Sequence, residues 1–124
     1  IDPLTTESCF FHDDHVVYEN WTGVTVEQDL SDDIARALGD HRAAILKHHG
    51  LLTVGASVDE AAWWFIALER CCETQLLTAP LGASPMPREE AEATHRLVGT
   101  SHVGWFSFQP LFQEALRRHP DLAD

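Results

Sequence analysis

The segment Ala43-Ala44-Ile45-Leu46-Lys47-His48-His49-Gly50-Leu51-Leu52-Thr53-Val54-Gly55 constrains this chain more than any other. Two short apolar runs flank a polar corner of two histidines and a glycine, which predicts strands at 43–47 and 51–54. Imidazole at a strand end, beside a glycine that leaves room for a ligand, is a common way to present a metal ligand. Ser57-Val58-Asp59-Glu60 then forms a capping box that opens a helix running to about Leu77. Val58, Ala61, Ala62, Phe65, Leu68, Cys72 and Leu76 recur at helical spacing, and Trp64, Ile66 and Cys71 widen that face. A helix apolar on so many sides is expected to bury against more than one partner.

The flanks carry weaker signals. Cys9-Phe10-Phe11 and Val16-Val17-Tyr18 suggest strand pieces around Asp13-Asp14. Asn20 to Gly23 is a turn signal, and Val24-Thr25-Val26 a further short strand. Ser31 is a suitable N-cap for a helix that Gly39 ends. Ala79 to Pro87 is a Pro/Gly linker, and Arg88 to Val98 a helix with acidic residues early and His95 and Arg96 late. Gly99 to Gly104 breaks the pattern, ahead of an aromatic cluster at 105–110 and a short helix from Leu111 to about His119.

With 124 residues and 44% hydrophobic composition the chain is one globular domain at most. A net charge of -12 argues against a nucleic-acid partner and against an anionic membrane surface. No apolar run approaches the roughly 20 residues of a membrane span. The opening Ile1-Asp2-Pro3-Leu4 lacks the pattern of a signal peptide and an initiator Met. Cys9, Cys71 and Cys72 are expected to be buried thiols in a reducing, cytoplasmic setting.

Residues 43–77 resemble the C-terminal half of the class II aldolase/adducin family. The features are Ile45-Leu46-Lys47-His48-His49-Gly50, Leu51 to Gly55, Glu60-Ala61-Ala62 and Leu68-Glu69. Phe10 to Gly23 and the helix at 31–39 resemble the preceding family segment. The patch from Gly104 to Pro110 resembles family members more loosely. The resemblance implies an α/β fold, part of a three-layer α/β/α sandwich around a mainly antiparallel sheet. It implies that residues 1–124 are the C-terminal portion of a single domain, with a companion N-terminal segment elsewhere. It also implies a divalent metal, zinc in most members, bound by three histidines. His49 is the third of these, while the His-x-His pair and a catalytic acid/base glutamate have no counterpart in this sequence.

The activity implied is a zinc-dependent, aldolase-like lyase that cleaves a carbon–carbon bond through a metal-stabilised enolate. The substrate is a small carbonyl compound, either a sugar phosphate or a hydroxy or keto acid. A non-catalytic adducin-like interaction domain, a sugar-phosphate epimerase and a decarboxylase are the alternatives. A homo-oligomer, commonly a tetramer, is implied as well.

Each candidate residue has a plainer reading. His49 by spacing alone is a strand-end histidine bonded to backbone, and the resemblance makes it a metal ligand. His48 points to the opposite face of a regular strand, where packing or support of the ligand is expected. Cys9, His12 and His15 have a spacing that suits zinc but lack a clear fourth ligand, so coincidence is the better reading. His15 could instead line a pocket mouth. Trp105, Phe106 and Phe108 could line a site or an interface, and Trp63 and Trp64 are expected to pack. Glu89, Glu90 and Glu92 are expected to form a solvated helix face.

Overall fold

The computed structural model describes residues 1–20 and 28–123. A 3-10 turn at Ser8–Phe11 leads into β1 (His15–Tyr18), followed by α1 (Gln28–Leu38). β2 (Ala43–Leu46) and β3 (Gly50–Thr53) form a hairpin, and α2 (Val58–Thr78), α3 (Arg88–Val98) and α4 (Ser101–Arg118) complete the order. β2 is central, parallel to β1 and antiparallel to β3. The described part of the sheet therefore has one parallel and one antiparallel pair.

Strand alternation divides the sheet between two helical layers. Tyr18, Ala44 and Leu46 are buried on one face, with Val16 and Leu52 beside them, against Leu30, Ile34 and Leu38 of α1. Ala43 lies on the other face, with Leu51, against Phe10, Phe11 and the α2 residues Trp64, Ala67, Leu68 and Cys71. Helices thus cover both faces, and the expected α/β/α layering is present. The Tyr18 hydroxyl donates to Asp33 Oδ2 at 2.8 Å, which fastens β1 to α1.

The capping box forms as expected. Ser57 Oγ accepts from the Glu60 N–H at 3.2 Å, and Glu60 Oε2 reaches back to accept from the Ala56 N–H at 2.7 Å. The buried stripe of α2 differs from the one expected. Glu60, Trp64, Ala67, Leu68 and Cys71 are buried, whereas Val58, Phe65 and Leu76 are exposed. A helix apolar on most sides does not select its own inner face by periodicity. Here the selection comes from Trp64, which is 0% exposed and donates its indole N–H to Glu60 Oε1 at 3.0 Å.

Three further expectations are corrected. Cys9-Phe10-Phe11 is a 3-10 turn, not a strand, and the neighbours Phe10 and Phe11, which a strand would send to opposite faces, both enter one inner cluster. The helix near Ser31 starts earlier, at Gln28, so Ser31 is interior. The pattern break after α3 is confined to Gly99 and Thr100, and the Thr100 hydroxyl caps α4 by accepting from the Val103 N–H. One helix then runs through the whole aromatic cluster and through Pro110. The expected turn at 20–23 and strand at 24–26 lie largely or wholly outside the described residues.

Gly104 is where α4 meets α2. A Cβ there would stand 2.6 Å from Trp64 Cζ2 and 2.8 Å from Glu60 Cγ. The indole occupies the space a side chain would need. Gly104→Ala is expected to destabilise the protein by about 1–3 kcal/mol, as over-packing does. A urea titration followed by circular dichroism measures it, and an unchanged midpoint would contradict the close approach.

Candidate functional site

Leu46 pairs with Gly50, so Lys47, His48 and His49 alone turn the chain between β2 and β3. The His49 N–H donates to the Leu46 carbonyl at 3.0 Å, and the Lys47 N–H donates to the Tyr18 carbonyl at 2.9 Å. The corner is thereby tied to both β1 and β2. His48 adopts a left-handed φ of 62°, and Gly50 has φ of 147°. His48 and His49 are both exposed. The alternation expected of a regular strand therefore does not apply to them, since both sit in a turn. An exposed imidazole on a well-fastened turn suits a divalent cation, because neutral ring nitrogen is a donor that zinc and iron both accept. Of the three donors the resemblance implies, it is the one position this sequence offers.

His15 is engaged within the chain. Its Nδ1 is 2.7 Å from the Phe11 carbonyl, and its Nε2 is 2.6 Å from the Ile1 nitrogen. Burial is the largest influence and lowers its pKa from the usual 6.5, against the opposing Phe11 bond and Asp14. The fold thus favours the neutral ring. Its contribution to stability is present above pH 6.5, the unfolded value, and is lost as pH falls through the lower folded value. Acid titration of the melting temperature is expected to show this loss below pH 6.5 and to show less of it in His15→Gln. Identical profiles would rule out His15 as the source.

The Cys9, His12, His15 spacing gathers no common centre. Cys9 is 0% exposed and its thiol donates to the Thr5 carbonyl, while His15 is committed as above. Burial raises the Cys9 and Cys72 thiols and pushes Cys71 up to about 12, so all three are held as protonated, inert groups. Trp64 is core and Trp63 packs at its edge. Trp105 and Phe106 are exposed on α4, each stacked on His102, and Phe108 stacks on Phe112. α4 packs chiefly on α2, so these aromatics belong to the helical layer and not to the hairpin corner.

A second grouping escaped the sequence reading. Ligand atoms of His12, Asp13 and Glu92 lie within 4.8 Å of one another, an arrangement that could hold a metal ion. It lies at the end of the sheet opposite His49, because Asp14 precedes β1 as Arg42 precedes parallel β2, and the two are bonded. Four strand residues, about 13 Å, separate the two ends. Arg88 already donates to Asp13 and stands 2.8 Å from Glu92, so a guanidinium neutralises both carboxylates. The only sequence signal was Glu92 four residues after Arg88, a spacing that brings them together on one helix face. Glu89 and Glu90 are exposed, as expected.

Comparison with known proteins places this geometry. A 4-hydroxy-3-prenylphenylpyruvate oxygenase/4-hydroxy-3-prenylbenzoate synthase of Streptomyces roseochromogenus subsp. oscitans is 46% identical over 124 residues, covering 99% of this chain and 45% of that protein. Decarboxylase NovR of Streptomyces niveus is 45% identical, covering 99% of this chain and 46% of its own length. The chain therefore spans about half the length of the curated relatives it matches. The solved structure of L-fuculose 1-phosphate aldolase from Glaciozyma antarctica PI12 superposes with a TM-score of 0.83 at 34% identity, covering 97% of this chain and 45% of that one. The family model for the Class II Aldolase and Adducin N-terminal domain matches residues 1–76, more than half of the sequence, and the chain belongs to that family.

Proposed function

We propose that residues 1–124 are the C-terminal portion of one catalytic domain of a metal-dependent lyase. The reaction is cleavage of a carbon–carbon bond beside a carbonyl in a small keto or hydroxy acid. The observation that carries this is the exposed His49 on a turn fastened to two strands. The relatives' names support the chemistry. One names a substituted phenylpyruvate and a substituted benzoate, and the other is a decarboxylase, so both names fit loss of carbon from an acid.

Most cations among the described residues are already engaged by carboxylates, which bears equally on an acid and on a sugar phosphate. Arg36, Arg42, Lys47, Arg70, Arg88, Arg117 and Arg118 each have a carboxylate within 4.0 Å. Lys47, the cation of the His49 turn, stands 3.8 Å from Glu19. Any anionic group of the substrate, carboxylate or phosphate, would have to compete with these partners.

In this reading His49 contributes one neutral imidazole, and two more histidines and the acid/base glutamate come from the companion N-terminal segment. A divalent ion bound there supplies Lewis acidity toward negative charge developing on a substrate oxygen. The β2–β3 turn holds the His49 backbone in place during that change. Zinc serves bond cleavage without oxygen, whereas an oxygenase branch calls for a redox-active ion such as iron. Trp105 and Phe106, exposed on α4, support contact with another subunit in a cytoplasmic homo-oligomer, a tetramer by the family resemblance.

Metal analysis of the full-length protein and of His49→Ala tests the proposal. About one divalent ion per chain is expected in the parent. At least a tenfold loss is expected in the variant, with the far-ultraviolet circular dichroism unchanged. Full occupancy in His49→Ala would overturn the assignment, and the identity of the ion separates the lyase and oxygenase branches.

A further inference from the structure

His48 is one of two non-glycine residues with positive φ among the described residues, at 62°. That region disfavours ordinary L-residues by roughly 1–2 kcal/mol and is tolerated best by Gly and then Asn. A strained backbone angle persists only where the surroundings fix it, and such angles gather at functional sites. Here the surroundings are specific. Three residues must connect paired Leu46 and Gly50, the Lys47 N–H is held by the Tyr18 carbonyl, and the His49 N–H by the Leu46 carbonyl. With both neighbouring N–H groups held, the left-handed backbone of His48 is part of what sets the course on which His49 leaves the corner.

We propose that His48 is a positioning residue, whose left-handed backbone, not its imidazole, sets the presentation of His49. The inference rests on the reading of His49 as a metal ligand. It predicts that position 48 tolerates loss of the ring and does not tolerate loss of the backbone conformation. His48→Gly and His48→Asn both lack the ring and both adopt positive φ readily. His48→Val opposes it most, because its side chain is branched at Cβ. His48→Ala is intermediate.

The test uses the full-length protein, with zinc affinity measured by chelator competition and amide exchange measured at residue 49. The Gly and Asn variants are expected to bind zinc within about twofold of the parent and to protect the His49 amide equally. The Val variant is expected to bind about tenfold more weakly, equivalent to roughly 1.4 kcal/mol, and to exchange that amide faster. If the Val variant does not fold, Ala against Gly gives the same comparison at smaller amplitude. Equal affinity in all variants overturns the proposal. So does an equal loss in Gly, Asn and Val, which would make the imidazole itself the working group. His49→Ala separates the two levels. Zinc retained there removes the ligand reading and this inference with it. Zinc lost there but retained in both His48→Val and His48→Ala removes only the positioning role.

Discussion

Asp14→Ala is expected to destabilise the protein by about 2–3 kcal/mol, between the values for exposed ion pairs and for buried ones broken by removing one partner. Asp14 Oδ2 accepts from Arg42 Nε at 2.5 Å and Oδ1 from the Arg42 backbone N–H at 2.9 Å. The two side chains are 20% and 15% exposed. Truncation leaves the guanidinium largely desolvated, with the Gly99 carbonyl at 2.7 Å and the Trp64 ring at 4.5 Å as its remaining company. Its Nη1 already lacks a hydrogen-bond partner. The carboxylate also fixes the starts of two parallel strands relative to each other, so its loss loosens the register of β1 on β2. Asp14→Asn, which keeps an acceptor for the backbone N–H, is expected to cost less. Urea unfolding measures both. A loss below about 1 kcal/mol for Asp14→Ala would mean that water reaches the pair as it does an exposed one.

The hairpin, its histidine corner and the capping box of α2 were legible because they depend on neighbours in sequence. Apolar runs, Gly50 and Ser57 carry those signals locally. The continuous α4 was not legible, because Gly104 and Pro110 are both helix breakers by intrinsic preference. Gly104 is present for Trp64, forty positions away, which fills the space in front of it. The inner stripe of α2 was misjudged for a related reason. Apolar residues surround that helix, and the inner face is the one that carries the buried Trp64, which lies under the Arg42 guanidinium and donates to Glu60. At the candidate site the resemblance singles out His49, and the left-handed turn at His48 beside it has no sequence signal. His48 is not a residue whose identity announces positive φ. The His12, Asp13 and Glu92 group needed the fold, since it joins positions that are 80 residues apart.

Trp64→Ala is expected to cost about 3–5 kcal/mol, as large-to-small changes of a buried aromatic do. The side chain is 0% exposed, with the Phe10 and Phe11 rings at 5.2 and 6.2 Å. Three separate losses add to the cavity. Glu60 Oε1 loses its indole donor, Arg42 loses the ring beneath its guanidinium, and Gly104 faces a void instead of a packed surface. Trp64→Phe restores bulk without the N–H and is expected to recover about half, which divides the hydrogen bond from the packing. Because Arg42 contacts both Asp14 and Trp64, the two sites are expected to be coupled. Both alanine changes together would approach the whole stability of a small domain, about 5–15 kcal/mol, so the cycle is better run with Asp14→Asn and Trp64→Phe. A coupling of about 0.5–3 kcal/mol in urea unfolding is expected for residues sharing one partner. Strict additivity would show that Arg42 bridges them in geometry only, and that the sheet end and the α2–α4 layer are stabilised independently.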